Sequence, residues 1–402
     1  MPILTYPPQD ALFNSQWYLK TMKVPEAWQL LRNLNQEKTY GNPDIVIGIL
    51  DQGILSETVN GELVCKHGDL NGQVSNGKNK IVSFYDFSNG GAIEENNNNV
   101  TDAHGMHVSS VAAARVNTGL NTGMVGVAPG CRLLACKRSE DIADSVLSES
   151  LQAALAKMAG LIKTDKTYLY QPLMASHIIN CSFNWKYRDE GIAPPEHLEE
   201  VSWAMVHKGR NGKGTILVVA AGNDEQDISK KNLLPKYTEC IVVGASTVDS
   251  NNNETFASYS NLSDNTTRVD VCAPSSLVVD SGLENDPIAN RGIIAATVPG
   301  QGNIGANNNH INFFGGTSAS APMVAGVVAL MLTANPNLTA AEVKQILRTT
   351  SDIIDENTTD TDAAWTYVPS PIPNHRPVLY SKKMGYGRVN AERAVQKAID
   401  ML

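Results

Sequence analysis

The chain has 402 residues, 42% hydrophobic and 18% charged, a balance suited to a globular protein with a large buried core. Its net charge of -9 comes without any basic block, which argues against nucleic acid as a partner. Apolar runs such as Met323 to Leu332 fall short of the roughly 20 residues that span a bilayer, so no membrane partner is expected.

Met1 to Pro8 has neither the basic nor the apolar region of a secretory signal. Six cysteines (Cys65, Cys131, Cys136, Cys181, Cys240, Cys272) form no C-x-x-C pair, and several sit in apolar runs. Buried free thiols are expected in preference to disulfides or a metal site. Both features favour a cytoplasmic location, or a secreted one if a leader has been removed.

In chain order, continuous apolar runs at Ile45 to Leu50, Leu133 to Cys136, His177 to Asn180, Ile216 to Ala220 and Ile241 to Gly244 predict strands buried on both faces. Helical patterns lie between them, clearest over Asp144 to Ala159 and Glu200 to Lys208. Strand-helix-strand repetition predicts a three-layer αβα fold with a mainly parallel central sheet, whose site lies at the carboxyl ends of the strands. Asparagine clusters at Asn96 to Asn99, Asn251 to Asn253 and Asn307 to Asn309 predict surface loops. Ser351 to Lys383, rich in Asp, Thr and Pro, predicts a long loop before a final helix.

Three segments carry chemistry. Asp51-Gln52-Gly53 follows the first strand and puts a carboxylate at its exit, although an acid there is also a common turn residue. Asp102-Ala103-His104-Gly105-Met106-His107 opens a helix whose glycine permits close backbone approach; metal ligation by His104 and His107 lacks further ligands at suitable spacing. Gly315 to Pro322 places Ser318 among small residues at the entrance of an apolar helix, where an ordinary N-cap is the alternative. Together they supply a hydroxyl nucleophile, a base and an acid to orient the base. Ala220-Ala221-Gly222-Asn223 ends another buried strand and adds an amide that could donate to an oxyanion.

On these segments the sequence resembles the subtilase family, whose reacting residues follow the same order Asp, His, Ser. Gly126 to Pro129, Gly244-Ala245, Ala273-Pro274 and Gly385 to Asn390 resemble further family blocks. The resemblance implies a subtilisin-like α/β fold and a serine endopeptidase acting on extended polypeptides through an acyl-enzyme. Asp51, His104 and Ser318 would be the triad and Asn223 the oxyanion donor, with no cofactor required for the chemistry. Ser182-Phe183-Asn184 resembles the substrate-binding strand, with Gly222 flanking the pocket for the residue before the cleaved bond and Asp224 a further substrate-binding candidate.

Gln52, Met106, Ser109-Ser110, Asn184 and Ala319 depart from the usual residues without removing a reacting group. Thr317 to Pro322 and Gly209 to Thr215 resemble the kexin-like branch, which implies a processing protease cutting after basic residues. Asp189-Glu190 and Asp224, Glu225 and Asp227 could supply the charge, or could be ordinary surface acids. Calcium is frequent in the family, and His67-Gly68-Asp69-Leu70 resembles a segment whose aspartate is a ligand. Asn117 to Met124 matches the companion loop poorly, so a structural calcium at Asp69 stays open.

The expected organisation is an N-terminal extension, residues 1–16, and one catalytic domain, residues 17–402, with insertions near 86–100, 186–197, 280–310 and 351–384. The segment Ile3 to Pro8 is faintly similar to a cleft-blocking inhibitory peptide. A peptide-binding scaffold that does not cut, and a ligase that passes the acyl group to an amine, are the competing functions. Oligomeric state is left open.

Overall fold

A computed structural model of the chain describes residues 6–60, 62–88, 103–117, 123–138, 144–164, 167–172, 175–184, 196–232, 234–249, 251–277, 291–370, 372 and 375–402. The central sheet contains β1 (Val46–Asp51), β2 (Ile81–Asp86), β3 (Arg132–Lys137), β4 (Ile178–Cys181), β5 (Ile216–Ala220), β6 (Cys240–Val248), β7 (Glu254–Phe256) and β8 (Val271–Pro274). Their spatial order is β7-β6-β5-β4-β1-β3-β2, with β8 also paired to β6. Every pairing is parallel except that of β6 with β7.

The uniform hydrophobicity of the strands follows from this arrangement, because successive side chains enter opposite layers. Ile47, Ile49, Leu133, Ala135, Ile178 and Val218 belong to one core. That core is shared with helices α1 (Val24–Leu34), α2 (His104–Ala113), α5 (Thr317–Ala334), α6 (Ala340–Thr350) and α7 (Ala391–Asp400). Val46, Leu50, Leu134, Cys136, Ile179 and Leu217 belong to a second core, packed with α3 (Asp144–Met158) and α4 (Glu196–Gly212). The result is the expected three-layer αβα fold.

Successive strands leave β1 first through β2 and β3 on one side, then through β4 and β5 on the other. Strand order thus reverses at β1, and such a reversal opens a crevice at the carboxyl ends of the strands. Asp51 is the last residue of β1.

Helix α5 is longer and more continuous than its sequence suggested. Among the described residues it alone has the length and composition of a membrane span, but 94% of it is buried inside the protein. It is the central helix of the core. All six cysteines are buried and unpaired. Leu50 pairs with Cys136 on one side and Cys181 on the other, which puts those thiols two strand spacings apart, about 9–10 Å and beyond disulfide reach.

The expected long loop after Ser351 is more structured than predicted. It holds an antiparallel hairpin, Thr366–Val368 with Val378–Tyr380, and buries Ile354, Ala363 and Met384 against Cys272. The insertion near 280–310 contributes β9 (Ile293–Ala296), which pairs antiparallel with β10 (His310–Phe314). Asn251 to Asn253 and Asn307 to Asn309 lie in surface turns, whereas Asn96 to Asn99, residues 89–100 and residues 280–290 lie outside the described residues.

Tyr6 corrects the cleft-blocking expectation for its part of the N-terminal segment. Its hydroxyl donates to the Pro25 carbonyl at 3.0 Å, and its ring packs beside Tyr40 under the Arg32 guanidinium. Those residues lie on α1 and on the chain leading into β1, at the opposite end of that strand from Asp51. Residues 1–5 lie outside the described residues.

Candidate active site

Asp51 leaves the carboxyl end of β1 with its side chain 1% exposed. One carboxylate oxygen, Oδ1, meets His104 Nδ1 at 2.8 Å and accepts from the Gln52 N–H at 2.8 Å. Burial alone would raise this carboxyl, but the His104 contact, Arg138 and the Gln52 N–H outweigh it and hold it below the ordinary carboxylate range. The other oxygen, Oδ2, is buried with no hydrogen-bond partner.

His104 begins α2, and the residue after it explains how the imidazole reaches Asp51. A Cβ on Gly105 would stand 2.1 Å from the Gly53 carbonyl oxygen, so only glycine lets the helix start against the turn that follows β1. The Phe314 ring packs edge-on against His104, with centroids 5.6 Å apart. His107, half-buried, takes a separate partner. Its Nε2 meets Thr297 Oγ1 at 3.1 Å, and burial pushes its pKa down to about 3, keeping it neutral.

Ser318 is the second residue of α5 and, of that helix's eighteen residues, the only one not buried. Its hydroxyl donates to the Ser182 carbonyl at 3.1 Å, not to His104, while Ser182 Oγ donates to the Ser318 carbonyl at 3.0 Å. Asn180 Nδ2 in turn donates to Ser182 Oγ at 2.9 Å. Before the helix, Gly316 has φ of 73°, and a Cβ there would press to 2.7 Å from Asn223 Nδ2. Glycine thus lets the Asn223 amide approach the helix entrance.

Asn223 follows β5. Its Oδ1 accepts from the Thr317 N–H at 2.8 Å and from Thr317 Oγ1 at 2.9 Å. A backbone N–H can only donate, so the oxygen of the amide is identified and Nδ2 is left as the donor at the site. Thr317 Oγ1 also accepts from the Gly222 N–H at 3.0 Å, which ties both strand-end residues to α5.

The expected substrate-binding residues gather beside this group. Phe183 lies under the Arg138 guanidinium, 4.3 Å from its ring centroid. Asn184 Nδ2 donates to Asp224 Oδ2 at 3.3 Å, and Asn261 holds Asp224 through its N–H at 2.9 Å. Gly222 has φ of +103°, and a Cβ there would meet the Asn184 amide at 2.8 Å, so Asn184 packs directly on Gly222. Asp189 and Glu190 lie outside the described residues. Asp69 belongs to a separate cluster with His67 and His310.

Sequence reasoning missed Thr317 and Asn261 as positioning residues. Thr317 adjoins Ser318 in the same motif and could have been suspected as a partner. Asn261 carries no local signal.

The sequence profile of the subtilase family matches residues 42–387, and the chain belongs to that family. It is 26% identical over 411 residues to a calcium-dependent protease of Trichormus variabilis, covering 97% of this chain and 52% of that protein. It is 27% identical over 354 residues to furin of Bos taurus, covering 86% of this chain and 36% of furin. The chain therefore spans about half the length, or less, of these relatives. The fold is also that of fervidolysin from Fervidobacterium pennivorans, a keratinolytic enzyme related to subtilisin, with a TM-score of 0.63 at 21% identity over 96% of this chain and 46% of that one.

Proposed function

We infer that the chain is a serine endopeptidase that hydrolyses extended polypeptide segments through an acyl-enzyme. The observation that carries this reading lies at two neighbouring strand ends. Asp51, 2.8 Å from His104 Nδ1, ends one strand. The Ser182 carbonyl, which follows the adjacent strand, accepts from the partly exposed Ser318 hydroxyl at 3.1 Å, while the neighbouring Thr317 ties down the oxygen of the Asn223 amide.

In this mechanism Ser318 Oγ turns from the Ser182 carbonyl toward the imidazole and attacks the scissile carbonyl, and His104 takes its proton. The Asp51 contact fixes the proton of the neutral imidazole on Nδ1, leaving Nε2 as the base. Asp51, held ionised by His104, Arg138 and the Gln52 N–H, attracts the imidazolium more strongly than the neutral ring, so the interaction strengthens toward the transition state. Asn223 Nδ2 and the Ser318 N–H, in the first helical turn where no intrahelical acceptor exists, receive the oxyanion. His104 then returns the proton to the leaving amine, and water repeats the sequence to release the acid. In this reading Ser318, His104 and water carry the protons, and Asn223 with the Ser318 N–H carries the developing charge, so no step calls on a cofactor.

The backbone of Ser182 to Asn184 would pair with the substrate as an added strand. As a finer reading, the enzyme is a processing protease that cuts after a basic residue, recognised by the Asp224 carboxylate beside Gly222. The match to furin supports that reading. The six buried, unpaired thiols suit a reducing compartment.

A fluorophosphonate probe tests the chemistry. Labelling of the intact chain that vanishes in Ser318→Ala supports it, and absence of labelling favours a binding scaffold. Mass spectrometry of products from a peptide library separates hydrolysis from ligation. Cleavage after Arg or Lys supports the processing role, and cleavage confined to sites after apolar residues overturns it.

A further inference from the structure

The family resemblance leaves a calcium ion at Asp69 open, and the surroundings of that residue contain the wrong atoms for one. Calcium is held by six to eight oxygens. Here Oδ1 of the buried Asp69 accepts from Asn117 Nδ2 at 2.8 Å, and Oδ2 accepts from the Met124 N–H at 3.0 Å and from His310 Nε2–H at 2.7 Å. Gly123 closes the Oδ1 side: a Cβ there would lie 2.4 Å from that oxygen. Three N–H groups thus point at the carboxylate, from directions a cation would need.

The histidines do not form a metal site in its place. His67 Nε2–H donates to the Asn309 carbonyl at 2.9 Å, and Nδ1 accepts from the Asp69 N–H at 3.1 Å, which uses both nitrogens of the neutral ring. His310 Nδ1 is buried without a hydrogen-bond partner, but it faces Gly305, where a Cβ would come within 2.6 Å. Its other nitrogen, Nε2, is already committed to Asp69.

We propose that His310 replaces a cation at Asp69, so that the chain is locked there without any metal. The lock joins three distant segments: the turn at His67 to Asp69, the chain after α2 through Arg115, Asn117 and Met124, and β10. Strand β10 ends at Phe314, whose ring packs on His104, and continues four residues on to Ser318. The same contact thereby steadies the strand that leads into the candidate site.

The test is thermal unfolding of the full chain carrying Ser318→Ala, so that neither self-digestion nor the correctness of the peptidase reading affects it. The expected result is the same Tm in EDTA and in millimolar calcium. His310→Ala should lower Tm by several degrees, on the order of 5 °C. His310→Gln, whose Nε2 can still donate to Asp69, should recover much of the loss. A Tm that falls in EDTA and returns with calcium overturns the proposal. So does stoichiometric cobalt binding with a visible absorption band that His310→Ala abolishes. The chelator comparison uses the His310 chain alone and stands even if His310→Ala fails to fold.

Discussion

Thr317→Val removes one oxygen at the point where the candidate oxyanion donor is aligned. Thr317 Oγ1 donates one of the two hydrogen bonds that Thr317 makes to Asn223 Oδ1, and it accepts from the Gly222 N–H. Valine fills the same buried volume, so packing is nearly conserved. The Thr317 N–H still holds Asn223, so the amide is loosened rather than lost. Deleting the whole donor costs on the order of 3 kcal/mol in a subtilisin, and one neutral hydrogen bond is worth about 1 kcal/mol. The expected change is therefore a fall in kcat of about 3- to 20-fold with little change in KM. The stranded Gly222 N–H should separately cost about 1–3 kcal/mol of stability. The assay is steady-state hydrolysis of a peptide substrate by the four members of a Thr317→Val and Asn223→Ala cycle. If Thr317 acts through Asn223, Thr317→Val should leave kcat unchanged once Asn223 is alanine, while still lowering stability. An unchanged kcat in the single variant, or the same factor in both backgrounds, refutes the reasoning.

Asp51→Asn should lower kcat by about ten-thousand-fold, the size seen for this change in another triad, because the amide favours the wrong imidazole tautomer. In the parent chain Asp51 is held below the ordinary carboxylate range and stays ionised while the imidazole titrates. The acid limb of kcat/KM should then fit a single proton, and a two-proton slope would contradict this. Gly105→Ala sets a methyl 2.1 Å from the Gly53 oxygen and must displace the start of α2, so kcat/KM should drop on the order of 100-fold; near-normal activity would show that His104 is not placed by that contact. Asp10 is buried, which raises its pKa to about 6 despite the Asn117 N–H. A raised carboxyl pKa means that stability is lost as pH rises from the unfolded value through about 6, where the folded chain must ionise a buried group. Asp10→Asn should therefore stabilise the protein by on the order of 1–2 kcal/mol at about pH 7.5 and do little near pH 4, read from urea midpoints. Equal shifts at both pH values would remove burial of the charge as the cause.

Sequence alone determined the features whose cause is local. Buried strands read as unbroken apolar runs because each face enters a different core, and Asp51, His104, Ser318 and Asn223 were visible because each stands at a strand exit or helix entrance with small neighbours. Tertiary structure decided the partners. Asp69 meets a histidine 241 residues away, Ser318 Oγ bonds to Ser182 rather than His104, and Tyr6 settles beside α1. Periodicity and motif specify what an element is and which way its side chains face. Which donor fills a given lone pair depends on where distant segments come to rest, and no local pattern encodes that.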